Sequence, residues 1–102
     1  MAATKRAAKG RTVTVDGITV TVAIDPKDDW EFATASLTLS DPDATPLERS
    51  NAVMKQVKLL LGDDYGRVMG ELRAARGGRL PIADVTSFAN RVMAAEAGDA
   101  KN

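Results

Sequence analysis

The stretch RTVTVDGITVTVAI, residues 11–24, restricts the fold more than any other part of the chain. Apolar and threonine side chains alternate strictly on both sides of Asp16-Gly17. That dipeptide is favoured in a two-residue type I′ turn, where both central residues take positive φ. In that register Val15 faces Ile18 and Val13 faces Val20, with Val22 and Ile24 continuing the same side. Thr12, Thr14, Thr19 and Thr21 line the opposite side. A lone hairpin is marginal in water, so its apolar face must be covered by helices or by another copy.

Beyond the hairpin the chain carries helix signals. Pro26 stops the second strand, and Asp28 with Glu31 three residues on has the capping-box spacing. Trp30, Ala33 and Leu37 recur at helical spacing, which predicts a helix over about 28–39 with Trp30 in the core, although ASLTL also alternates as a strand does. SDPDATP reads as a loop. Thr45-Pro46-Leu47-Glu48 supplies an N-cap, a proline in first helical position and a glutamate in third, opening a helix over 46–61. Its expected inward face is Leu47, Val53, Met54, Val57, Leu60 and Leu61.

Gly62 ends that helix, and Asp63 is placed to cap the next, over 63–76, with Tyr65, Val68, Met69 and Leu72 as its apolar stripe and Gly77-Gly78 as its stop. Pro81 opens a last helix over 81–96, with Ile82, Val85, Phe88, Ala89, Val92 and Met93 inward and an end near Gly98. The predicted fold is α+β and mostly α: an N-terminal two-stranded antiparallel hairpin and a bundle of about four helices. It forms one domain over 11–97, between a mobile basic tail at 1–10 and a mobile end at 98–102. At 102 residues the chain has material for one modest core. Aromatics are only 4% of it, so aliphatic side chains must fill that core.

The absence of Cys and His removes disulfides, Cys/His zinc sites, thiol nucleophiles and His-based triads. No apolar run approaches the roughly 20 residues that span a bilayer, so no membrane association is expected. Fourteen basic and 14 acidic residues cancel. Without a global positive field, a helix-turn-helix pattern or aromatics among the basic residues, nucleic-acid binding is not favoured. Gly62, Gly66 and Gly70 resemble a phosphate loop only in their glycines, because the following Lys-Ser/Thr is missing. The acidic run Asp25, Asp28, Asp29 and Glu31 lacks the ligand ladder of a calcium loop. Titratable groups form no evident acid–base pair, so the reading is non-enzymatic, with no catalytic residue, cofactor or metal. Gly66, Gly70 and Ala74, four apart, either tolerate solvent or let another backbone approach closely, within the fold or between subunits.

The hairpin with its DG turn, then Asp28-Asp29-Trp30-Glu31, Leu60-Leu61-Gly62, and Gly78-Arg79-Leu80-Pro81 leading to Phe88, resembles the tail assembly chaperones of long-tailed phages and prophages over about residues 11–95. Gly66 and Gly70 depart from that pattern, in which longer side chains fill the helix. The resemblance implies a non-enzymatic factor that binds the tape measure protein and helps recruit tail tube protein. It would act in the host cytoplasm and leave before the virion is complete. It also implies a longer form made by frameshifting, with GDAKN suiting the end of the short form. Candidate protein-interaction residues are Trp30, Val53, Val57, Leu60, Gly66, Gly70, Phe88 and Val92. Helices 47–61 and 82–96 are the expected groove, strand addition at the hairpin edge a second mode, and a homo-oligomer is allowed. The rival classes are a structural head–tail connector or tail completion protein, and a small nucleic-acid-binding regulator using the basic tail.

Overall fold

The computed structural model of the chain describes residues 11–101, so the basic tail expected over 1–10 lies outside the described residues. Strands β1 (Arg11–Val15) and β2 (Ile18–Val22) form the hairpin in the expected register, Val13 opposite Val20 and Val15 opposite Ile18. Asp16 (φ 55°) and Gly17 (φ 79°) both take the positive φ of a type I′ turn. Val13, Val15, Ile18, Val20 and Val22 are buried, while Thr12 meets Thr21 at 3.4 Å and Thr14 meets Thr19 at 3.1 Å on the exposed face. Strand β2 ends at Val22 rather than Ile24, and the Ala23 N–H donates to the Leu60 carbonyl at 2.8 Å.

Helix α1 (Trp30–Ser40) starts one step later than the sequence suggests: Asp29, not Asp28, is the N-cap, accepting the Phe32 N–H at 2.8 Å. The Asp28–Glu31 capping box does not form, since Glu31 occupies the second helical position. Its buried residues are Phe32 and Ala35, and Trp30 (83% exposed) and Leu37 (73% exposed) stand on the opposite side. At 100° per residue α1 carries two apolar stripes, Trp30/Ala33/Leu37 and Phe32/Ala35/Leu39, about half a turn apart. Periodicity alone could not choose between them; contact with the neighbouring helix selects the second.

Helix α2 (Pro46–Leu61) carries the expected capping box, with the Glu48 N–H donating to Thr45 Oγ1 at 3.1 Å and the Thr45 N–H to Glu48 Oε1 at 2.8 Å. Ala52, Val57, Leu60 and Leu61 are buried, whereas Leu47 (70% exposed) and Met54 face outward, contrary to the expected stripe. Leu47 sits in the first turn of α2. Gln56 clamps α1 to α2, donating to the Phe32 carbonyl (3.1 Å) and to Ser36 Oγ (2.8 Å). Among the described elements α1 touches α2 alone, which makes it an arm on the main core.

Gly62 is the C-cap of α2, as expected, but with φ 54° and ψ −128° it lies outside the ordinary left-handed helical region. A short 3₁₀ turn (Gly62–Asp64) leads into α3 (Tyr65–Ala75). Asp63 caps nothing. The neighbouring Asp64 carboxylate instead reaches across the fold to accept the Thr21 N–H at 3.0 Å. Arg67 pairs with Asp64 (3.3 Å) and Glu71 (2.8 Å) and donates to the Thr19 carbonyl at 2.7 Å. The outer edge of β2 is thereby occupied by side chains of the 3₁₀ turn and α3.

Helix α4 (Ile82–Lys101) is longer than the expected 81–96 and runs through Gly98, so the mobile end expected from residue 98 is helical to Lys101. A single glycine lowers helix propensity by only about 1 kcal/mol, which does not suffice to end a helix. Phe88, Ala89 and Val92 are buried against the hairpin, while Ile82 is exposed rather than inward. Arg11–Glu96 (3.2 Å) and Arg91–Asp16 (2.6 Å) tie the hairpin to α4. The core forms where Val20, Leu60, Leu61, Val68, Phe88 and Val92 meet beneath the ribbon.

Candidate functional site

An open apolar groove of about 400 Å³ lies between α2 and α3. Val53, Met54 and Val57 of α2 form one wall, Tyr65, Gly66, Met69 and Gly70 of α3 the other, and Leu80, Ile82 and Val85 close one end. Helices α2 and α3 are joined through Gly62, and two of the α3 positions that line the groove are glycine. A Cβ built on Gly66 or Gly70 meets nothing within 4 Å. The close helix contact that the glycine spacing allowed is therefore not made within the fold.

The rim is cationic. Arg73 stands at the α3 side, and Lys58 lies 5.5 Å from the centre of the Tyr65 ring, in cation–π range. Lys55 and Lys58 flank a shallower depression of about 360 Å³ that shares Met54 with the groove. Among the described residues none of these three cations forms an ion pair, whereas Arg76 is held by Asp84 at 3.0 Å.

The eight candidate interaction residues divide sharply. Leu60, Phe88 and Val92 are fully buried core and are not interaction surface. Val57 is buried too, though it forms the floor of the groove. Val53, Gly66 and Gly70 line the groove walls. Trp30 stands on α1, exposed rather than in the core. The expected pairing of helices 47–61 and 82–96 is only partly realised, because the second wall is α3 and α4 contributes just its first turn. Met54, Tyr65, Met69, Leu80 and Ile82 also line the groove, although nothing in their spacing distinguishes them from core residues. The signal available in the sequence is the glycine pair lying beside the Tyr65/Met69 stripe of the same helix.

The other polar cluster is structural. The Thr21 N–H is the largest influence on the Asp64 carboxyl and, with Arg67, outweighs partial desolvation to hold it below the usual carboxylate range. Its role is to cap the open strand edge, which leaves β2 no free edge at Thr19 and Thr21 for strand addition. Among the described residues no three His, Cys, Asp or Glu side chains are grouped to hold a metal ion. No helix among them is long and apolar enough to cross a membrane. Chemically, the arrangement offers an apolar trough with a cationic rim. Comparison with family models, curated proteins and solved structures finds no match.

Proposed function

We propose that this chain is a non-enzymatic assembly factor that acts by binding other polypeptides, and that its role is that of a phage tail assembly chaperone. The observation that carries this reading is the groove between α2 and α3, apolar, open, and walled on one side by glycine. A groove of this shape suits an amphipathic helix presenting anchors at helical spacing. A tape measure protein, long and helical, offers many such segments, and tail tube protein would be recruited to the same complex. Action would take place in the host cytoplasm, and the protein would be missing from finished particles.

Gly70, in the interior of α3, costs the helix roughly 1 kcal/mol relative to alanine, and Gly66, in its first turn, adds a smaller cost. Nothing inside the subunit compensates, since neither position contacts a neighbour. An approaching partner backbone would supply the reason for keeping them small. The test is co-expression with overlapping segments of a phage tape measure protein. A segment that co-purifies with the wild-type chain, and is lost on Gly66→Leu, supports the reading. Failure of every segment to co-purify would refute the chaperone role, and finding the chain in purified virions would favour the connector class instead.

A further inference from the structure

The chain is neutral overall, but its charge is segregated. Seven acidic residues and one lysine lie between positions 25 and 48, a net −6 that leaves +6 on the rest of the chain. That acidic stretch is the α1 arm with its flanking loops and the first turn of α2. Its outward face carries Trp30, Ala33 and Leu37, and Asp28, Asp29 and Glu31 surround the Trp30 end. The groove is the complement: apolar walls, with Arg73 in its lining and Lys58 and Lys55 beside it, none of them ion-paired among the described residues. Since α1 touches neither α3 nor α4, an arm leaves its own groove open.

We infer that the groove binds the α1 arm of a second copy of this chain. Trp30 and Leu37, seven residues apart on one helix face, seat between Met54 and the bare backbone at Gly66 and Gly70. The acidic cap of the arm meets Lys58 and Arg73. Docking covers three features at once: the exposed tryptophan, the glycine wall and the cations beside it. The two surfaces are different, so one contact leaves a free arm at one end and a free groove at the other. Further copies extend a chain or close a ring, and a reciprocal exchange closes a two-fold dimer. Attraction between opposite charges at the rim speeds encounter and is weakened by salt. A helical client that enters the groove displaces the arm, so self-association holds the surface covered until a client arrives. The self-contact stands whether or not that client is a tape measure protein.

Trp30 is the only tryptophan, so its emission reports the arm directly. Two variants separate the halves of the contact. Trp30→Asp removes the arm's anchor at an exposed helix start, and Gly70→Glu fills the groove and repels the acidic arm. The Cβ at residue 70 has open space and glutamate favours helix, so Gly70→Glu should melt no lower than wild type while losing association. By sedimentation, the wild-type chain should associate as concentration rises, with Trp30 emission moving to the blue. Association should weaken at least tenfold between roughly 0.05 and 0.5 M salt. Each variant alone should remain monomeric. Mixed one to one, they should form a heterodimer in which the Trp30 emission of the Gly70→Glu chain shifts to the blue, because its arm enters the open groove of the other. A wild-type chain that stays monomeric up to about 1 mM overturns the inference. So does a mixture that fails to pair while the wild-type chain associates.

Discussion

Gly62→Ala offers the sharpest test of how the two halves of the fold are joined. Two costs act at this position. The first is backbone: φ 54° with ψ −128° is a region that side-chain-bearing residues avoid, worth about 1–3 kcal/mol. The second is steric. An alanine Cβ would stand 2.7 Å from the Ala23 Cβ, and the Ala23 backbone is held by its 2.8 Å bond to the Leu60 carbonyl. Relieving that overlap means shifting β2 against the end of α2, an overpacking cost of roughly 1–3 kcal/mol. Together they come to about 4 kcal/mol, a large share of the 5–15 kcal/mol typical of a small domain. At about 4–8 °C per kcal/mol for this size, the thermal midpoint should fall by roughly 15–30 °C. Urea and thermal melts followed by circular dichroism measure it. Adding Ala23→Gly should restore the steric part and leave the backbone part in place. A Gly62→Ala chain within about 0.5 kcal/mol of wild type would refute the reasoning.

Four more outcomes are expected of single substitutions elsewhere in the fold. Gly66→Ala, in open space on the helix four residues along, should stabilise by about 0.5–1 kcal/mol in the same melts. Phe88→Ala empties the centre of the core and should cost about 3–5 kcal/mol in urea unfolding. Thr45→Ala removes one half of a capping box and should cost about 1 kcal/mol, read by the same melts. The Asp64 carboxyl is held low mainly by the Thr21 N–H, so its contribution to stability is present above the ordinary carboxylate pKa and is lost as pH falls through the lowered folded value. Asp64→Asn should therefore reduce the loss of stability on acidification below about pH 4, measured as the difference in melting between pH 6 and pH 2.

Local chemistry makes the hairpin and most helix limits legible. The DG turn determines its own register, and Thr45 with Glu48 satisfies two orphan donors without help from elsewhere. Sequence and structure part where two local solutions are equally good. Asp28 and Asp29 can both cap a helix, and α1 bears two apolar stripes; the choice depends on whether Phe32 or Trp30 meets α2, which is a tertiary matter. Asp63 and Asp64 pose the same problem. The second becomes a partner for the strand edge 43 residues away, which no short window contains.

The site is less legible than the fold because its residues look like core residues in sequence. Gly62, Gly66 and Gly70 share one spacing and one residue type, yet they answer to different physics. At Gly62 both the backbone angles and the Ala23 methyl exclude any side chain, so the molecule itself requires glycine there. At Gly66 and Gly70 the helix is regular and space is open, so the molecule alone would gain from alanine. A requirement that the free chain does not impose must, if it is real, come from a second chain. The contrast is measurable in a single assay: alanine at 62 should lower the melting temperature, and alanine at 66 should raise it. A bulkier residue at 66 should leave the isolated fold intact while abolishing the complex. If Gly66→Leu neither unfolds the chain nor weakens any association, the groove is an incidental gap between two helices, and the protein-binding reading loses its support.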